Sequence, residues 1–154
     1  MYGPLLLIHS WTRWIVVVSG ILFLIRCLVG WMKRQEWSSS ENYFIWGFNQ
    51  ILGYQILFGF TLYIAASPYV RMAISNPSLI STNPVVGFWV ARHAVTMLST
   101  LGVFHVGRAK AKKAPQDSRF RIYTITFTVL MAMILSAIPW AGLAYGRPWF
   151  RWIF

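Results

Sequence analysis

Four long apolar stretches decide what this chain can fold into. They run over about residues 4–31, 43–66, 84–107 and 122–145, the first reading PLLLIHSWTRWIVVVSGILFLIRCLVGW. Each reaches the roughly 20 residues that a helix needs to cross about 30 Å of hydrocarbon. In lipid every backbone N–H and C=O must be satisfied within its own segment or within a closed barrel. Barrel strands would show as alternating segments of about 10 residues, and no such pattern occurs. The fold expected is therefore all-α: an integral membrane four-helix bundle forming a single transmembrane domain over 1–154.

Charge supports the same reading. Charged residues make up 11% of the 154, against about a quarter in soluble domains, and mean hydropathy is +0.55. Such a chain cannot clothe a surface in charge, which excludes a soluble enzyme. Its 14 Lys and Arg against 3 Asp and Glu give a net charge of +11. In a soluble domain that balance suggests nucleic acid. Here the basic residues fall between apolar runs, so a topology signal and contact with anionic lipid explain them, and no nucleic-acid partner is expected. The single cysteine, Cys27, rules out an internal disulfide and Cys-rich metal sites. The N-terminal MYGPLLLIH lacks a basic leader region and a small-residue cleavage site, so the first stretch is expected to stay as a span.

Local signals mark the helix ends. Pro4 and Pro84 suit a first helical position, and Ser and Asn in WMKRQEWSSSEN suit the cap of the second helix. Pro139 is expected to kink the fourth helix or end its regular part early. The connector 67–83 is moderately apolar and suited to the membrane surface. Lys33 and Arg34 mark the first connector. Arg108, Lys110, Lys112, Lys113, Arg119 and Arg121 mark the third, against Arg71, Arg147 and Arg151 opposite. The positive-inside rule then puts the first and third connectors inside and both termini outside. Six of the nine tryptophans, at 31, 37, 46, 140, 149 and 152, fall near expected helix ends and suit interfacial belts.

Ionisable residues within spans are costly and mark function. Those here are His9, Arg13, Arg92, His93 and His105, with no Asp or Glu among them. That absence leaves a proton relay or cation transporter poorly supplied. With 1.5 Å per residue, His9 lies about 7 Å along the first helix and His93 about 14 Å along the third. Both fall in the outer half of the bilayer, where facing helices of a bundle can share a ligand. Two imidazoles suit the axial positions of a haem iron. Haem also carries two carboxylates, for which arginine is the best partner. Arg13 lies four residues after His9, on the same helix face, whereas Arg92 points away from His93. Competing roles remain open: His9 bonding headgroups or a neighbouring carbonyl, and Arg13 reaching to the outer surface. His105 lies about 18 Å below His93 and about 120° around the helix. No other histidine stands near it to complete a second haem; Asn49, Gln50 or Gln55 would be weak partners, and an interfacial role near the basic loop is the simpler one.

The stretches HSWTRW, FWVARHAVTMLSTLGVFHVGRAKAKK and IPW together resemble small four-helix bacterial membrane proteins of the Bacteroidetes type labelled cytochrome b-like. The resemblance spans nearly the whole chain through short motifs. It implies His9 and His93 as haem ligands with Arg13 beside them, and residence in the bacterial inner membrane. Relatives in that pattern often carry a histidine in the second helix where LGYQILFG has Gly53, so one haem is expected rather than two. The function expected is a cytochrome b-type subunit holding one haem b for electron transfer within a larger respiratory or photosynthetic complex, with quinone as a possible reaction partner and no catalytic acid or base. The alternative is a structural or accessory transmembrane subunit without haem, or one that ligates a chlorophyll-type pigment.

Overall fold

The computed structural model describes residues 2–150, so Arg151 and Trp152 lie outside the described residues. Within them the chain is helical, without a strand. Helix α1 covers Tyr2–Met32 and α2 covers Ser39–Thr61, which continues as a π-helical turn over Leu62–Ala66. Two short helices follow, α3 over Pro68–Ser75 and α4 over Leu79–Thr82. Then α5, Pro84–Gly87, passes through a second π-helical turn, Phe88–Arg92, into α6, His93–Lys113. Helix α7 spans Gln116–Ala137. Helix α1 packs on both α2 and α7, and α7 packs on α6.

The pattern on α1 explains its two faces. Ile8, Trp11, Ile15, Val18, Leu22, Ile25, Val29 and Met32 are all exposed. Their spacing alternates three and four residues, a continuous apolar stripe on one side of a helix. Ser10, Val16, Val17, Phe23 and Cys27 are buried on the other side. An apolar outward face of that length has lipid as its natural solvent. By length and composition α1, from Gly3 to Met32, and α7 can each cross a membrane. The bent pair Ser39–Ala66 and Pro68–Ser75, meeting at 50°, makes a third candidate. The protein is thus a membrane-associated helical bundle. The stretch over 84–107 does not stand out as a span by the same measure, because a π turn divides it and its helix runs on into the basic Lys113.

Small residues set the helix spacing. A Cβ at Gly20 would come within 2.7 Å of the Met131 sulfur, and one at Gly30 within 2.6 Å of the Phe120 ring. These positions let α1 lie close against α7. Gly107 of α6 does the same against Thr126 of α7.

Helix ends follow local chemistry. Ser38 caps α2 in a capping box: its backbone N–H donates to Glu41 at 2.9 Å while its hydroxyl accepts from Ser40 N–H at 3.2 Å. Glu41, 4% exposed, also pairs with Arg26 of α1 at 2.7 Å, which fixes the α1–α2 corner. Asn83 caps α5, with Pro84 at a first-turn position.

Two sequence expectations need correction. Trp37 is a core residue, not part of an interfacial belt: it is 6% exposed, stacks on Tyr123 and donates to Asn42 Oδ1 at 2.9 Å. Its indole N–H finds a partner inside, so nothing holds it at an interface. The fourth span, drawn to residue 145, is too long: its helix ends at Ala137, the early end that was one of the two outcomes expected of Pro139. Pro139 disfavours helical backbone at the residue before it, and Ile138 is extended, with φ −69° and ψ 132°. The chain from 138 to 150 instead forms a strap of turns. Arg147 N–H donates to the Pro139 carbonyl at 3.0 Å, and Gly142 turns the chain at φ +94°. Arg13 and the Trp14 indole both donate to the Trp149 carbonyl, at 3.0 and 2.8 Å. Tyr145 stacks on Phe88 at 3.6 Å. The strap therefore ties α1 to the second π turn at the end of the bundle that carries His9.

A histidine- and arginine-lined cavity as the candidate functional site

A cavity of about 290 Å³ opens at that end of the bundle. Its size lies at the lower edge of the range of small-molecule and cofactor sites, about 300–1,000 Å³. Residues from α1, α2, α3, α6, α7, both π turns and the strap line it, and His9, Arg13 and His93 are among them. The three residues singled out from the sequence are thus brought to one space. His105 is not: it is exposed on the outer side of α6, its ring beside Phe104. Arg92 is also exposed, donating to the Ser136 carbonyl at 3.2 Å, and does not line the cavity.

Each imidazole is set by its neighbours. His93 Nδ1 lies 2.8 Å from the Ala137 carbonyl. A carbonyl can only accept, so Nδ1 carries the proton and donates. In the neutral ring the lone pair is then on Nε2. A hydrogen bond of this kind to a backbone carbonyl is how proteins orient a metal-ligating histidine. The carbonyl is available because α7 stops at Ala137, where Pro139 breaks the helix. The Trp89 ring packs 5.3 Å from the His93 ring, and Phe88 at 5.8 Å.

His9 is held more loosely. Its Nε2 lies 3.5 Å from Gln55 Nε2, at the weak limit of hydrogen bonding. Its Nδ1 is buried without a hydrogen-bond partner among the described residues. Gln55 itself pairs with the Thr12 hydroxyl, one turn along α1 from His9. Gly59 leaves the space the ring needs, since a Cβ there would stand 2.9 Å from His9 Cε1. Neither nitrogen of His9 is committed to a strong bond, so its lone pair is available to a ligand.

The π turns shape the wall. In each, a wider turn displaces one residue from the ordinary ladder, a device common at functional sites. Leu62 and Tyr63 of the first line the cavity, as do Trp89 and Val90 of the second. Tyr63 Oη donates to the Val90 carbonyl at 3.0 Å, joining the two turns.

Arg147 also lines the cavity. From the sequence it reads only as one of the basic residues flanking the fourth apolar stretch. The strap brings it over the rings of Tyr69 and Trp89, at 5.9 and 5.3 Å. A cue existed in its company, GRPW after an apolar run that Pro139 was bound to interrupt, but no spacing rule links it to His93.

Among the described residues, no three His, Cys, Asp or Glu side chains converge to hold a metal ion. A macrocycle that brings four nitrogens of its own asks for only one or two from the protein. Comparison with protein-family models, with curated proteins and with solved structures finds no match for this chain.

Proposed function

We propose that this protein is a cytochrome b-type membrane subunit that holds one haem b in this cavity and relays electrons, the role implied by its resemblance to small membrane proteins labelled cytochrome b-like. The observation that carries the reading is the pairing of His93 and His9 on one cavity, with His93 Nδ1 bonded to the Ala137 carbonyl. That bond leaves Nε2 as the ligating atom. The donor set fits the group: two imidazoles for the iron, two arginines for carboxylates, and apolar side chains such as Leu52, Ile56 and Ile134 around them. A bound haem supplies a one-electron couple, so the protein needs no acid or base of its own. Its residues instead orient the ring, exclude water and hold the carboxylates.

In this reading the chain crosses the bacterial inner membrane four times, with both termini outside and the two basic connectors inside. The cavity then lies in the outer half of the bilayer, reachable by a partner subunit or a quinol. The long exposed stripe of α1 suits lipid or neighbouring subunits of a respiratory or photosynthetic complex.

The test is the optical spectrum of the purified protein after reduction with dithionite. The reading expects b-type bands, lost in His93→Ala and shifted or lost in His9→Ala. A fully folded protein without bands after haem supplementation, or bands untouched by both substitutions, would leave an accessory subunit as the role.

A further inference from the structure

Three hydrogen-bond donors, Arg147, Tyr69 and Trp89, meet at the strap side of the cavity. Arg147 Nη2 donates to Tyr69 Oη at 3.2 Å, which leaves the Tyr69 hydroxyl proton to donate elsewhere. Trp89 Nε1 is buried and has no hydrogen-bond partner among the described residues. The rings of Tyr69 and Trp89 stack at 6.1 Å, 7° from parallel, and the guanidinium lies over both. All three side chains line the cavity. A buried indole N–H without a partner costs free energy, so native structures seldom leave one unmet. Among the described residues no carboxylate lines this place. The acidic side chains of the chain, Glu36, Glu41 and Asp117, all lie at the opposite, basic end of the bundle.

We propose that Tyr69, Trp89 and Arg147 form a subsite for a carboxylate of the ligand held in the cavity. This rests on the haem reading above and deepens it: the strap arginine, far from His9 in sequence, receives a propionate. The chemistry is that of an anion with planar acceptor oxygens, met by a guanidinium and two neutral donors. Stacking on two aromatic faces holds the guanidinium in place. The same donors could take a phospholipid phosphate, and the experiment separates the two sources.

Purified apoprotein is titrated with haem b and with haem b dimethyl ester, whose carboxylates are blocked. Absorbance reports binding, and His93→Ala checks that binding occurs in the cavity. Wild type is expected to prefer the free acid about ten-fold, a difference of about 1.4 kcal/mol. Arg147→Gln and Tyr69→Phe are expected to shrink that preference while keeping the His93-dependent spectrum; Tyr69→Phe keeps the ring and so the packing. Equal binding of both forms by wild type, or a preference that survives Arg147→Gln, overturns the subsite and leaves the haem reading standing. Equal haem affinities together with loss of copurified phosphatidylglycerol in Arg147→Gln assign the donors to lipid phosphate and also overturn it. Binding of neither form by wild type overturns the subsite and the haem reading together.

Discussion

His93 and His9 are close in role but unequal in constraint. The Ala137 carbonyl fixes the tautomer and direction of His93, whereas His9 leans on a 3.5 Å contact with Gln55 and on the space left by Gly59. Gly59 is the sharper point of failure. A valine there would drive its Cβ into the His9 ring, and overpacking of this kind costs about 1–3 kcal/mol. Gly59→Val is expected to lower the thermal midpoint in detergent and to alter the haem spectrum more than Gly53→Val, since Gly53 has open space where a Cβ would stand. Equal effects of the two substitutions would argue against a tight fit at His9. Gln55→Leu is expected to leave folding nearly intact while changing the spectrum, since it removes a weak contact to the ring and little packing, and the Thr12 hydroxyl it also frees keeps the Ile8 carbonyl at 2.9 Å. An unchanged spectrum would remove Gln55 from the site.

Elements explain which features could be read in advance. Some helix starts were legible because they rest on local chemistry: a serine, Ser38, caps α2 and Pro84 opens α5, whereas α1 starts at Tyr2, ahead of Pro4. Ser38→Ala is expected to cost about 1 kcal/mol, read as a lower midpoint in a reversible detergent denaturation; no change would mean that the Arg26–Glu41 pair fixes the corner alone. The strap was not legible. Residues 138–150 are apolar enough to pass for the end of a span, and it takes tertiary contacts with Trp14 and Phe88, beside the strap's own backbone bonds, to hold them as turns. The π turns were likewise hidden, because a one-residue shift in the hydrogen-bond ladder leaves no mark on apolar periodicity. So the sequence places His9, Arg13 and His93 together by depth and face, yet it cannot reach Arg147, which arrives through the strap. Trp37 misleads for a related reason: position near a helix end does not reveal that its ring lies between Phe120 and Tyr123.

At the scale of the molecule, charge and cavity sit at opposite ends. The basic connectors gather at one end, while the cavity and strap occupy the other. The proposed four crossings, with the basic connectors inside, make a direct forecast for single-cysteine labelling. Native Cys27 is fully buried and does not interfere. In intact bacterial cells a membrane-impermeant maleimide is expected to label Ala141→Cys, on the exposed strap, and to miss Lys112→Cys until the cells are broken. The reverse pattern would invert the topology, and labelling of both in intact cells would break the four-span account. The most direct measurement of the central claim is haem stoichiometry. Extracted pyridine haemochrome is measured against protein concentration in monodisperse, haem-supplemented protein. The account predicts one haem b per chain in the wild type and none retained in His93→Ala; none in a folded wild type, or two, would contradict it.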